Sequence, residues 1–172
     1  VHTFRPRVSA VLNITPDHLD RHHTMEAYIQ AKEDISKNQT LEDTMVLNYE
    51  DDVTRGMAER TKAKVLFFSS RHILERGIYL DGDAIIYKPF VDQEGELICK
   101  TSELQILGVH NYENVMAAAA MAICANIPLD TIRNVLKSFA GVEHRIEYCG
   151  EVNGVRFVND SKGTNPDAAI KA

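Results

Sequence analysis

The densest run of reactive side chains is Asn159-Asp160-Ser161-Lys162-Gly163-Thr164-Asn165-Pro166, which places an acid, a base, two hydroxyls and a helix start side by side. Asn165 suits the N-cap of a helix and Pro166 its first position. A strand running into such a loop and then a helix aims backbone N–H groups and the helix dipole at one spot, which favours a phosphate. Lys162 adds a full positive charge there. An ordinary strand-to-helix connection is the plainer alternative.

A second group is Asn13-Ile14-Thr15-Pro16-Asp17-His18-Leu19-Asp20-Arg21-His22-His23, where three histidines and two aspartates follow an apolar run. Loops at strand ends are where doubly wound sheets keep their ligands, and imidazole with carboxylate suits several divalent ions. A solvated cluster of surface histidines fits the same residues.

Lys32 is a third candidate, because it falls on the apolar stripe of Met25, Tyr28, Ile29 and Ile35. A lysine on such a face usually carries its ammonium out to water along its own stem. If it cannot, its pKa falls, and a neutral amine can add carbon dioxide to become a carbamate, in effect a long carboxylate able to bind a divalent cation.

Asn111 and Asn114, in His110-Asn111-Tyr112-Glu113-Asn114, open an Ala-rich helix. Asn111 reads as the N-cap, and Asn114, three residues on, can face the same way. Side-chain amides match the donor and acceptor edge of adenine. Arg145, in Glu143-His144-Arg145, is the fifth candidate: a planar guanidinium able to clamp phosphate or to pair with a carboxylate.

These residues must be positioned by elements. Val8–Asn13, Thr44–Asn48 and Lys64–Phe68 read as buried strands, with helices from Thr24 to about Asn38 and from Asp51 to Arg60 between them. That rhythm indicates a parallel sheet with crossover helices. Between Ile78 and Cys99 the pattern becomes short strands broken by Asp81-Gly82 and Asp92-Gln93-Glu94-Gly95, a small antiparallel meander expected beside the main sheet. Helices from Tyr112 to Ala125 and from Leu129 to Phe139 follow, the second ended by Gly141. Asn153-Gly154 is a hairpin turn joining Ile146–Cys149 to Val155–Val158, whose alternation reads as half-buried.

The chain of 172 residues is long enough for one ordinary domain, or one domain and a piece of another. A net charge of −6 argues against nucleic acid or an anionic membrane as partner. Three cysteines without a Cys-x-x-Cys spacing indicate neither a disulfide framework nor a zinc ribbon, and fit a reducing cytoplasm. No apolar run approaches the roughly 20 residues of a membrane span, and the first residues lack a signal-peptide core and a Met, which suggests that Val1 is not the natural start. No Gly-x-x-x-x-Gly-Lys-[Ser/Thr] occurs: Gly77 and Gly82 have the spacing, but Asp83 and Ala84 follow. A self-sufficient P-loop ATPase is thereby excluded.

Taken together, Leu12-Asn13-Ile14-Thr15-Pro16-Asp17-His18-Leu19-Asp20-Arg21, Ala31-Lys32, His110–Asn114, His144-Arg145 and Asn159–Pro166 resemble the Mur ligases of bacterial cell-wall synthesis, in order and along the whole chain. Folylpolyglutamate synthetases share the Asp-His loop and the Asn-rich helix start, so those motifs carry only the superfamily. The Asp-Ser-Lys-x-Thr-Asn-Pro segment is narrower, and resembles that of the member joining D-glutamate to UDP-N-acetylmuramoyl-L-alanine. Another ligase of the superfamily with a different amino acid, or a nucleotide-binding module without catalysis, are the alternatives.

The resemblance implies a three-layer α/β fold: a Rossmann-like central domain over residues 1–142, truncated at its N-terminus, and the beginning of a C-terminal ligase domain over 143–172. It implies a cytoplasmic, ATP-dependent ligase with Mg2+, for which Mn2+ could substitute given a histidine ligand. A substrate carboxylate would attack the γ-phosphate to give an acyl phosphate, and the amine of D-glutamate would displace phosphate. By the same resemblance His18 and a carbamylated Lys32 would hold metal, and Asn111 and Asn114 would contact adenine. Arg145 and Lys162 would contact the ATP phosphates, Asp160 the ribose side, and Ser161 and Thr164 the substrate. The family's P-loop should precede Val1, so the 172 residues alone are expected to be inactive.

Overall fold

Three short apolar runs, Val8–Val11 (β1), Thr44–Asn48 (β2) and Lys64–Ser69 (β3), lie side by side as parallel strands. The computed structural model describes residues 2–164 and 170. Gly77–Asp81 (β4) adds to β3 in parallel, and Ala84–Lys88 (β5) and Glu96–Lys100 (β6) continue antiparallel, giving one six-stranded sheet in chain order. The meander is therefore continuous with the main sheet rather than beside it. Gly77 is what permits the join: its φ is 142°, and a Cβ there would stand 2.5 Å from the Phe67 carbonyl oxygen.

Helices cover both faces, and the alternation along β2 shows why they must. Val46 packs with Leu66, Phe68 and the helix Val109–Cys124 (α4), through Val115, Met116, Ala119 and Ala120. Met45 and Leu47 face the other way, against Val11, Tyr28 and Met57 from β1 and the helices Met25–Glu33 (α2) and Asp52–Met57 (α3). Met45, Val46 and Leu47 are wholly buried. Each such side chain contributes about 1.5–3 kcal/mol relative to exposure. The expected three layers are present, with Leu129–Ser138 (α5) beside α4.

The ends of several elements differ from the expectation. Thr24 caps α2 through Ala27 N at 3.2 Å, but the helix tightens after Glu33 into a 3₁₀ turn, Asp34–Ser36. Asp51 is the cap of α3 and not its first residue. The polar loop after β1 contains a helical turn, Leu19–His22 (α1).

Glu147–Val152 (β7) and Val155–Asn159 (β8) form a separate two-stranded sheet about Asn153 and Gly154, both at positive φ. The turn is as expected, but the half-buried face is not. Tyr148, Val152, Val155, Phe157 and Val158 are each more than half exposed, because no described layer packs on either side of the hairpin. Asn165 and Pro166, the expected helix start, lie outside the described residues.

Candidate functional site

Parallel strands deliver their C-terminal ends to one edge of a sheet, and a cleft of about 510 Å³ opens there. Leu12, Asn13, Thr15 and Asp17 line it from the end of β1, Tyr28 from α2, Phe68 and Arg71 from the end of β3. The first turns of α4 contribute Val109, His110, Glu113 and Asn114. Arg145, Ile146, Asp160, Lys162 and Gly163 close it from the base of the hairpin. Four expected site residues, Asn114, Arg145, Asp160 and Lys162, thus share one space although up to 48 positions separate them in sequence.

The hairpin base is tied by local bonds. Asp160 Oδ1 accepts the Ile146 N–H at 3.1 Å, and Lys162 N–H donates to the His144 carbonyl at 3.0 Å. Ile146 holds φ 49°, a left-handed conformation that strains a β-branched residue, and the Asp160 bond helps retain it. Arg145 and Lys162 are exposed, and neither side chain has a bonding partner among the described residues. Their charge is free to meet an anion in the cleft.

The sheet side is built differently. Glu50, just beyond β2, accepts hydrogen bonds from the Ser69 hydroxyl, from the Arg71 N–H at 3.2 Å and from the His72 ring, whose Nδ1 is 3.0 Å away. Burial by itself would raise the Glu50 pKa, but those bonds together hold it below the ordinary carboxylate value. Ser69 Oγ in turn accepts His72 N–H at 2.7 Å, and Ser70 Oγ donates to Glu113 Oε1 at 2.6 Å. None of Glu50, Ser69, Ser70, Arg71, His72 or Glu113 stood out in the sequence as a site residue. The available signal was position: polar residues directly after two buried parallel strands.

Asn111 corrects the expectation for α4. The helix begins at Val109 with Gly108 as N-cap at φ 97°, so Asn111 lies inside the first turn. Its amide donates back to the Leu107 carbonyl at 2.7 Å and does not line the cleft. Asn114 does.

His18 and Lys32 meet around Tyr28 rather than in the cleft itself. The His18 and Tyr28 rings lie 6.5 Å apart, and Lys32 Nζ lies 5.4 Å from the centre of the Tyr28 ring. Lys32 is exposed, so the reading of a lysine confined in an apolar face is overturned: α2 runs along the rim, where the ammonium reaches water along its stem. His18 is in the left-handed region, its side chain 64% exposed, with Nε2 3.6 Å from Asp17 Oδ2. Among the described residues no three His, Cys, Asp or Glu side chains gather as a metal cluster. Ser161 and Thr164 are exposed beside Lys162, outside the cleft lining. None of the described helices is long and apolar enough to cross a membrane.

A mostly parallel sheet flanked on both faces, with polar loops gathered at the C-terminal edge of its parallel strands and a cationic hairpin base across from them, is a doubly wound α/β domain with its cleft where such folds hold ligands. The chain belongs to the Mur ligase family: the model of the Mur ligase middle domain matches residues 1–122. It is 58% identical over all 172 residues to the UDP-N-acetylmuramoylalanine--D-glutamate ligase of Lachnoclostridium phytofermentans, and 53% identical over the same span to that of Lachnospira eligens. It spans 37% and 38% of the length of those two relatives. Among solved structures, MurF from Acinetobacter baumannii superposes with a TM-score of 0.73 over 97% of this chain and 36% of that one. At 21% identity that likeness is one of fold.

Proposed function

We propose that this chain is the central portion of a longer ATP-dependent amide ligase that joins D-glutamate to UDP-N-acetylmuramoyl-L-alanine. The observation that carries the reading is the convergence of Asn114, Arg145, Asp160 and Lys162 on one cleft at the C-terminal edge of the sheet. The curated relatives bear the name of that ligase over the full span of this sequence. The boundary near residue 142 belongs to the same proposal, supported by a hairpin that pairs with no strand of the six-stranded sheet.

In this reading ATP occupies the cleft, with adenine toward Asn114 and phosphates toward Arg145 and Lys162. Charge building on the γ-phosphoryl group as the substrate carboxylate attacks it is offset by those two cations, held in place by hairpin bonds before the reaction starts. The D-glutamate amine attacks the acyl phosphate that results and displaces phosphate, a step from which water has to be kept. Asp160 faces the ribose side, while Ser161 and Thr164 face the substrate.

Magnesium is tested by the donors present. Asp17 and His18 offer one carboxylate and one imidazole at the cleft rim, and the carbamate on Lys32 that the family resemblance implies, though the exposure of Lys32 does not itself favour one, would add oxygens near Tyr28. So sparse a set fits an ion that keeps several waters and takes few protein ligands, with Mn2+ as a substitute tolerant of imidazole. When bound, the ion supplies charge neutralisation for phosphates. The test is an assay of the full-length protein with ATP, UDP-N-acetylmuramoyl-L-alanine and D-glutamate. Sustained ADP release and amide product should each require all three. Product with another amino acid but none with D-glutamate would overturn the specificity, and no product with any would overturn the reading.

A further inference from the structure

Each residue of the Ser69–His72 turn but one is committed to holding the turn in place. Ser69 bonds Glu50, Ser70 bonds Glu113, and His72 bonds both Glu50 and Ser69. The backbone N–H of Arg71 is likewise fixed on Glu50 and Ser69. The Arg71 side chain alone is uncommitted: it is exposed, has no partner among the described residues, and lines the cleft. A turn pinned at four points presents one guanidinium to a space that a ligand is proposed to fill.

Its place along the cleft follows from the sheet. β3 stands two strands from β1, roughly 10 Å at the usual spacing, and the β1 loop carries Asp17 and His18. The turn is instead bonded to α4 through Ser70 and Glu113, the residue next to Asn114. Arg71 therefore belongs to the end of the cleft away from the metal-side loop. A planar guanidinium at that end suits the face of a purine ring, which it can cover while an amide reads the ring edge.

We infer that Arg71 binds the base of the nucleotide, as a stacking partner that Glu50, Ser69 and His72 hold in position. This rests on the proposal that the cleft takes ATP. The experiment compares the binding of ATP and of inorganic tripolyphosphate to the full-length protein, for wild type, Arg71→Ala, Arg71→Lys and Lys162→Ala. Arg71→Ala should weaken ATP about tenfold and leave tripolyphosphate within about twofold. Arg71→Lys keeps the charge but not the plane, and should lose most of the same affinity. Lys162→Ala should weaken both probes.

Equal weakening of both probes by Arg71→Ala would make Arg71 a phosphate ligand and overturn the inference. So would full affinity in Arg71→Lys, or no change in Arg71→Ala. If any of the three held while wild type bound ATP and Lys162→Ala weakened it, the nucleotide reading of the cleft would stand without Arg71. Failure of wild type to bind ATP would overturn both.

Discussion

The two walls of the cleft are made in opposite ways. The sheet wall stands on the wholly buried Phe68 and on paired polar groups, Glu50 with Ser69 and His72, Glu113 with Ser70. The hairpin wall stands on a two-stranded ribbon exposed on both faces, and its cations Arg145 and Lys162 have no partner among the described residues. An isolated two-stranded hairpin is marginal in water, whereas a six-stranded sheet between helix layers is not. Stability is thus concentrated on one wall and uncommitted charge on the other. Substitutions should separate accordingly.

Phe68→Ala is the severest break. The ring is fully buried against Val46, Leu66, Met116 and Ala120, so its removal leaves a cavity as well as lost transfer energy, about 3–5 kcal/mol together. Urea unfolding of the chain should show that loss as a lower midpoint with an unchanged slope. A loss below about 1 kcal/mol would mean that the sheet wall is not the stable one.

Lys162→Ala should do the converse. Its side chain bonds nothing described, so stability should stay within about 0.5 kcal/mol, as for surface substitutions generally. If the proposed ligase reading holds, activity of the full-length protein should fall by roughly 10²–10³, the scale of losing one group that stabilises transition-state charge. An unfolded variant, or one of normal activity, would each erase the contrast between the walls.

The sequence exposes the sheet wall's framework and the hairpin wall's turn and chemistry, but not the polar network of the sheet wall or the exposure of the hairpin. β1, β2 and β3 are legible because strands buried on both faces must be continuously apolar, and Met45, Val46 and Leu47 could go nowhere else. Lys162 and Arg145 are legible because charged motifs are local in sequence. Lys32 misleads because an apolar stripe names a face without saying how deep the helix sits, and α2 lies at the rim. Asn111 misleads because its cap propensity is real but Gly108 alone suits φ 97° at the turn into α4. The Glu50 network is invisible to spacing: Ser69 is 19 positions away and Ser70 meets Glu113 across 43. Register between β2 and β3 brings the first pair together, and the packing of α4 on β3 the second.

Glu50→Gln is the finer probe of that network. The amide keeps the size of the carboxylate and one acceptor oxygen but loses its charge, and the bonds from Ser69, Arg71 and His72 weaken together, costing about 1–2 kcal/mol. The effect should depend on pH with a definite sign. The folded Glu50 pKa is lowered, so between that value and the unfolded one, about 4.3, the unfolded chain binds more protons than the native one. The charge-dependent share of its stabilisation is therefore complete above that window and lost as pH falls through the folded value. Unfolding midpoints from about pH 7 to about pH 3 should fall less steeply in Glu50→Gln than in wild type, and the two curves should converge in acid. Parallel curves would show that the Glu50 charge does not hold the Ser69–His72 turn. The fixed presentation of Arg71 would then need another cause.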